Sequence, residues 1–201
     1  MVPVPSSAAI QAYVVVALFG LLVLRGAYRL THGVRASYGR LFALPVLYVA
    51  IYAGTLAAVQ YALFGSSLAT LALISLAADG SLFAVGVVVA YRYTEQHLTL
   101  YQAPGQTAWS YRMNALLPVL YVVLFFARVG LETTILNETP FEIPGVSAFV
   151  GLSTVALLSL AVVDALWGLS TGFLVGRNAA AYRLWQARLR QSPPLPEGSR
   201  S

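Results

Sequence analysis

The chain has 201 residues, of which 59% are hydrophobic and 9% charged, whereas soluble domains carry about 25% charged residues. With a mean hydropathy of +0.75, this excludes an ordinary soluble domain and makes an integral membrane protein the expected class. The formal charge of +5 comes from arginine alone, beside apolar segments, so membrane topology explains it better than nucleic acid; the absence of cysteine excludes a thiol relay, a disulfide scaffold and covalent haem attachment.

The N-terminal run MVPVPSS has no basic region and no clear cleavage site, so no removable signal peptide is expected. Five apolar segments follow, at residues 8–24, 41–64, 68–91, 113–136 and 147–175. Each is read as a transmembrane helix, for which about 20 apolar residues suffice. The first is the shortest.

The connections orient the chain. Arg25, Arg29, Arg35 and Arg40 follow the first segment, and Arg92 and Arg112 follow the third. Arg177, Arg183, Arg188, Arg190 and Arg200 follow the fifth. The opposite loops carry Glu138 and Glu142 and no arginine. The positive-inside rule then sets the arginine side in the cytoplasm, with the N-terminus outside and the C-terminus inside. Asn137-Glu138-Thr139 is a glycosylation acceptor triplet on the outer side, a pattern common by chance.

Between the third and fourth segments, His97–Gln102 and Thr107–Tyr111 alternate in polarity around Ala103-Pro104-Gly105-Gln106. Proline followed by glycine is a type II turn signature, so residues 97–111 are read as a small cytoplasmic β-hairpin. Two strands alone are marginal in water, and Trp109 and the tyrosines are expected to rest on helix ends or headgroups. The fold class is thus an all-α membrane bundle of five transmembrane helices with one small hairpin, its transmembrane domain spanning residues 1–176.

Arginines surround Tyr182, Trp185 and Leu189 in residues 177–190, which suits an interfacial helix. Residues 191–201 hold three prolines and small polar residues and are expected to be a disordered tail.

A few residues stand out as costly. In the fourth segment Asn114, Pro118, Tyr121, Phe125, Arg128 and Glu132 share one helical face. An arginine inside a bilayer costs roughly 2.5–3.5 kcal/mol on insertion scales unless it snorkels or is paired. Glu132 is a local partner one turn on. Asp79 and Asp164 lie deep in the third and fifth segments and are too short to snorkel. Asp79, Arg128, Glu132 and Asp164 are therefore read as an intramembrane charge network. It either holds helices in register or forms a proton or cation site. Asp164, Gly168, Gly172 and Gly176 recur every four residues, the spacing that lets a neighbouring helix backbone approach closely. Small residues Ala72, Ser75, Gly86 and Ala90 surround Asp79 in the same way.

His32 and His97 are the only histidines, and both fall in loops. No metal site, cofactor or nucleophile–base set is expected, nor any phosphate loop. Two functions follow from these residues: a non-enzymatic scaffold or assembly factor, or a small proton- or ion-coupled transporter using the acidic residues. The partners expected are the lipid bilayer and another membrane protein or a second copy of the chain, and no nucleic acid.

The order of these features resembles the CcdC-type multi-pass membrane proteins, named after cytochrome c biogenesis loci. An arginine-rich inner loop leads to a proline-containing apolar helix, Arg40-Leu41-Phe42-Ala43-Leu44-Pro45. A polar strand-like loop and a helix with Phe126-Ala127-Arg128-Val129 follow, then a last helix with a basic end. The resemblance covers roughly residues 29–177 and implies an arginine near the outer end of the helix after the polar loop, which Arg128 matches. Gly176-Arg177 stands where that family ends its last helix in Pro-Trp-Arg. The resemblance implies no enzymatic role.

Overall fold

The computed structural model describes residues 7–64, 69–104, 108–136 and 154–191. Among the described residues five α-helices and three strands follow one another: α1 (Ser7–His32), β1 (Val34–Arg35), a π-helical turn (Gly39–Ala43), α2 (Leu44–Phe64), α3 (Ala69–His97), β2 (Leu98–Gln102), β3 (Trp109–Met113), α4 (Leu116–Leu136) and α5 (Thr154–Gln191). The chain is mostly helical, with one small sheet.

α1, α3 and α5 run past the ends of the apolar segments that forecast them, whereas α2 and α4 each start three residues late. Leu, Ala and Arg are all good helix formers, so charge alone does not stop a helix. α1 continues through Arg25 and Arg29 until Gly33. There φ is +121°, a conformation reserved for glycine. The Gly33 N–H donates to the Arg29 carbonyl at 2.8 Å and closes the last turn. Before α2, Pro45 lacks the N–H that would bond the Leu41 carbonyl, and the preceding turn winds as a π-helix. α4 starts where Asn114 Oδ1 accepts the Leu116 N–H at 3.4 Å, with Pro118 in the first turn. Its first residues are lost to the sheet: Met113 belongs to β3. From Thr154 on, the fifth apolar segment and the expected interfacial helix are one continuous helix of 38 residues, about 57 Å long.

The expected hairpin is part of a three-stranded antiparallel sheet in the order β1-β3-β2. His97 ends α3 and is not a strand residue. The register pairs Leu98 with Met113, Leu100 with Tyr111 and Gln102 with Trp109, and Val34 adds to Tyr111 from the other side. Tyr111, Leu30, Ala36, Leu41 and Ala181 form a buried cluster, joined by Val34, Leu98, Leu100, Trp109, Tyr182 and Trp185. A third strand and this cluster supply what a lone hairpin lacks. Tyr182 and Trp185, expected at the bilayer surface, pack on the sheet cluster. The turn at 105–107, residues 137–153 with the acceptor triplet, and the tail beyond Gln191 lie outside the described residues.

α3 and α5 pack along most of their lengths, α2 packs on both and α4 on α5, and α1 lies against α4. α1 meets α4 at Gly20, where a Cβ would stand 3.0 Å from the Phe126 ring. Among the described residues one stretch, Ala72–His97, is long and apolar enough to cross a bilayer by itself. Gly39–Gly54 and Leu116–Leu131 are shorter apolar helical stretches.

Candidate functional site

The site begins with the way α5 approaches α3. A Cβ on Gly168 would stand 2.7 Å from the Asp79 main-chain oxygen, and one on Gly172 or Gly176 would collide with the Phe83 or Val87 carbonyl. Gly86 answers from α3, where a Cβ would sit 2.5 Å from the Leu169 carbonyl. Real Cβ atoms do not approach so closely, so the two backbones are in direct contact along this seam. Ala72, Ser75 and Ala90 of α3 are likewise buried.

The seam sets Asp79 against α5, where it is 1% exposed. The would-be Cβ of Gly168 also lies 3.1 Å from the Tyr52 hydroxyl and 3.2 Å from Asp79 Oδ1. A side chain at 168 would therefore occupy the space in which these two groups meet. The Tyr52 hydroxyl acts electrostatically on the Asp79 carboxylate. The contact falls short of a well-formed hydrogen bond: both carboxylate oxygens are sealed from solvent without a partner of good geometry among the described residues. Asp164 and Arg128 act on the same carboxylate. The structure thus brings Asp79, Arg128 and Asp164 from α3, α4 and α5 into one neighbourhood. The Glu132 side chain lies outside the described residues.

Aromatic rings bind this neighbourhood together. The Arg128 guanidinium carbon lies 3.9 Å over the Trp167 ring, a cation–π contact worth about 2 kcal/mol or more when desolvated. Trp167 meets Tyr52 edge-on at 5.2 Å, and Tyr52 stacks on Phe83 at 6.2 Å. Besides Thr94 and Asn178, which are hydrogen-bonded, three further polar side chains are buried: Gln60 of α2, Ser75 of α3 and Thr171 of α5. Their polar atoms have no hydrogen-bond partner among the described residues. Buried polar atoms are nearly always satisfied, so this concentration sets the interior apart.

Tyr52 and Trp167 join the charges without having been singled out from the sequence. A signal was present: tyrosine and tryptophan favour bilayer borders, and these two sit well inside apolar segments. His32 and His97 each stack on the tyrosine four residues earlier, at 3.9 and 4.2 Å. Each ring Nδ1 also meets that tyrosine's carbonyl. Both are helix-end residues, and the described residues contain no cluster of metal-ligating side chains. No protein-family model, curated protein or solved structure matches the chain.

Proposed function

We propose that this chain is an integral membrane protein of the cell membrane. It crosses the bilayer five times, with the N-terminus outside and the C-terminus in the cytoplasm. It works without covalent chemistry, as a scaffold or assembly component, in keeping with its CcdC-type features. The observation that carries the membrane reading is an inverted distribution of polarity. Leu22, Leu47, Leu73, Val88, Leu116, Val123 and Val162 face outward, each between 54% and 62% exposed. Asp79, Ser75, Gln60 and Thr171 are inside. Water-soluble folds bury the first kind of residue and expose the second; a bilayer reverses the outer half of that rule. The α3–α5 seam supports the scaffold reading, because helices in backbone contact make a stiff frame.

Cysteine labelling tests the threading without background, since the chain has no cysteine. A membrane-impermeant maleimide added to intact cells labels Glu142→Cys, in the outer loop, and not Thr99→Cys, in β2. Labelling of Thr99→Cys under those conditions contradicts the threading.

The sealed Asp79 carboxylate favours a second reading, a small proton- or cation-coupled transporter. Intramembrane acids without ordinary partners mark such pathways. In liposomes, proton flux that is abolished by Asp79→Asn and reduced by Asp164→Asn establishes this reading; absence of flux from the wild-type chain leaves the scaffold.

A further inference from the structure

Immediately past the glycine seam, α5 carries Arg177. Arg183 and Arg190 on the same helix are exposed, whereas Arg177 is turned into the protein, with its Nε sealed from solvent. No hydrogen bond or ion pair reaches it among the described residues, and no carboxylate is among the groups that act on it. Those groups are two phenols, Tyr111 of β3 and Tyr121 of α4. Burial works against the Arg177 charge, and the phenol oxygens offset that only in part. Tyr111 is 3% exposed. Tyr121 interacts in turn with Tyr48 of α2.

Tyr111 has a second cation near it. Arg40 acts on the same phenol and sits on the π-helical turn, which packs on α5. One Arg40 terminal nitrogen donates to the Arg35 carbonyl at 3.4 Å. Four structural pieces therefore bring two guanidinium groups and two phenols together, and none brings an acid. Guanidinium carries five N–H donors and no acceptor, and its fork matches the oxygens of phosphate. An arginine that only snorkelled would keep its whole polar head in water, yet here the Nε is enclosed. π-Helical turns also occur frequently at functional sites.

We propose that Arg177, with Arg40, Tyr111 and Tyr121, forms a binding site for a phosphate-type oxyanion at the arginine-rich end of the bundle. The anion is either a phospholipid headgroup or free phosphate. The headgroup alternative rests on the membrane threading; the free-phosphate alternative does not.

The test uses the full chain purified in a neutral maltoside detergent. Trp109 and Trp185 pack on the Tyr111 cluster and report binding by their fluorescence. One titration adds inorganic phosphate; the other adds dioleoyl phosphatidylglycerol in mixed micelles, with diacylglycerol as the uncharged control. A saturable response to either probe is expected. It weakens by about tenfold or more in Arg177→Gln, as for loss of a charge-assisted pair. It weakens less in Arg177→Lys, which keeps the charge and loses the fork, and stays unchanged in Arg190→Gln. A response to the lipid alone assigns the headgroup, and a response to phosphate assigns the free anion. If Arg177→Gln does not fold, Arg40→Gln and Tyr111→Phe carry the test, each weakening binding several-fold. Two results overturn the proposal: no saturable response to either probe, or a loss in Arg190→Gln equal to that in Arg40→Gln. Failure of the threading would appear in the cysteine labelling and leave the phosphate titration standing.

Discussion

Asp79 is legible in sequence as an expensive residue, and its neighbours are what make it informative. A carboxylate in an apolar helix has to be compensated by groups from elsewhere. Here these come from α2 and α4, as Tyr52 and Arg128, while Asp164 of α5 adds a like charge that they must also offset. Arg128→Leu removes the cation that acts on Asp79. It is expected to lower stability by roughly 3–5 kcal/mol, the scale of an uncompensated buried charge. Combining it with Asp79→Asn or Asp164→Asn restores part of the loss, and Glu132→Gln measures the rival local partner. Thermal unfolding of the purified variants in detergent reads this out; a harmless Arg128→Leu excludes the network. Gly33 makes a separate residue-scale prediction. Its φ of +121° is costly for any side chain, and a Cβ would collide with the Tyr101 hydroxyl. Gly33→Ala is expected to destabilise by about 1 kcal/mol or more, seen as a lower Tm of the same sample.

At the scale of elements, the glycines of α5 distinguish packing from mere composition. Gly172 lies against the Phe83 carbonyl, while Gly80 of α3 has nothing within 4 Å of where a Cβ would be. Gly172→Ala is therefore expected to separate the helices and lower the melting temperature, and Gly80→Ala to be neutral or slightly stabilising, since alanine favours helix over glycine. Equal melting of the two variants contradicts a packed seam. The sheet belongs to the same scale. Alternation in residues 97–102 and 107–111 is a local signal, and it marks two strands, which the structure sets at Leu98–Gln102 and Trp109–Met113. The third, Val34–Arg35, is too short to announce itself and exists because β3 offers an open edge.

For the whole molecule, the decisive contrast lies between outer and inner surfaces. Apolar side chains on α1, α2, α3 and α4 remain exposed after every helix has found its neighbours. Large contiguous apolar surface is rare on soluble monomers. The chain is accordingly expected to stay with the membrane pellet under alkaline carbonate extraction and to be released by detergent. Release by carbonate alone contradicts the membrane reading. The far end of the molecule behaves differently. There Arg183 bridges to Glu95 at 2.7 Å and to the Tyr91 hydroxyl at the same distance. Arg183 is well exposed, so solvent screens the pair, and Glu95→Gln is expected to leave stability unchanged.

What the sequence determined by itself is local. Apolar length marks where helices form, period-two alternation marks β2 and β3, and the four-residue spacing of Gly168, Gly172 and Gly176 gives α5 a smooth face. Each follows from backbone geometry over a few residues. Only the tertiary structure decided which surfaces meet: that the smooth face lies on α3, that Tyr52 and Trp167 join Asp79 and Arg128, and that Arg177 turns inward while Arg183 reaches Glu95, 88 residues away in the chain. Such pairings depend on the shapes of segments distant in sequence, and no periodicity within one segment encodes its partner.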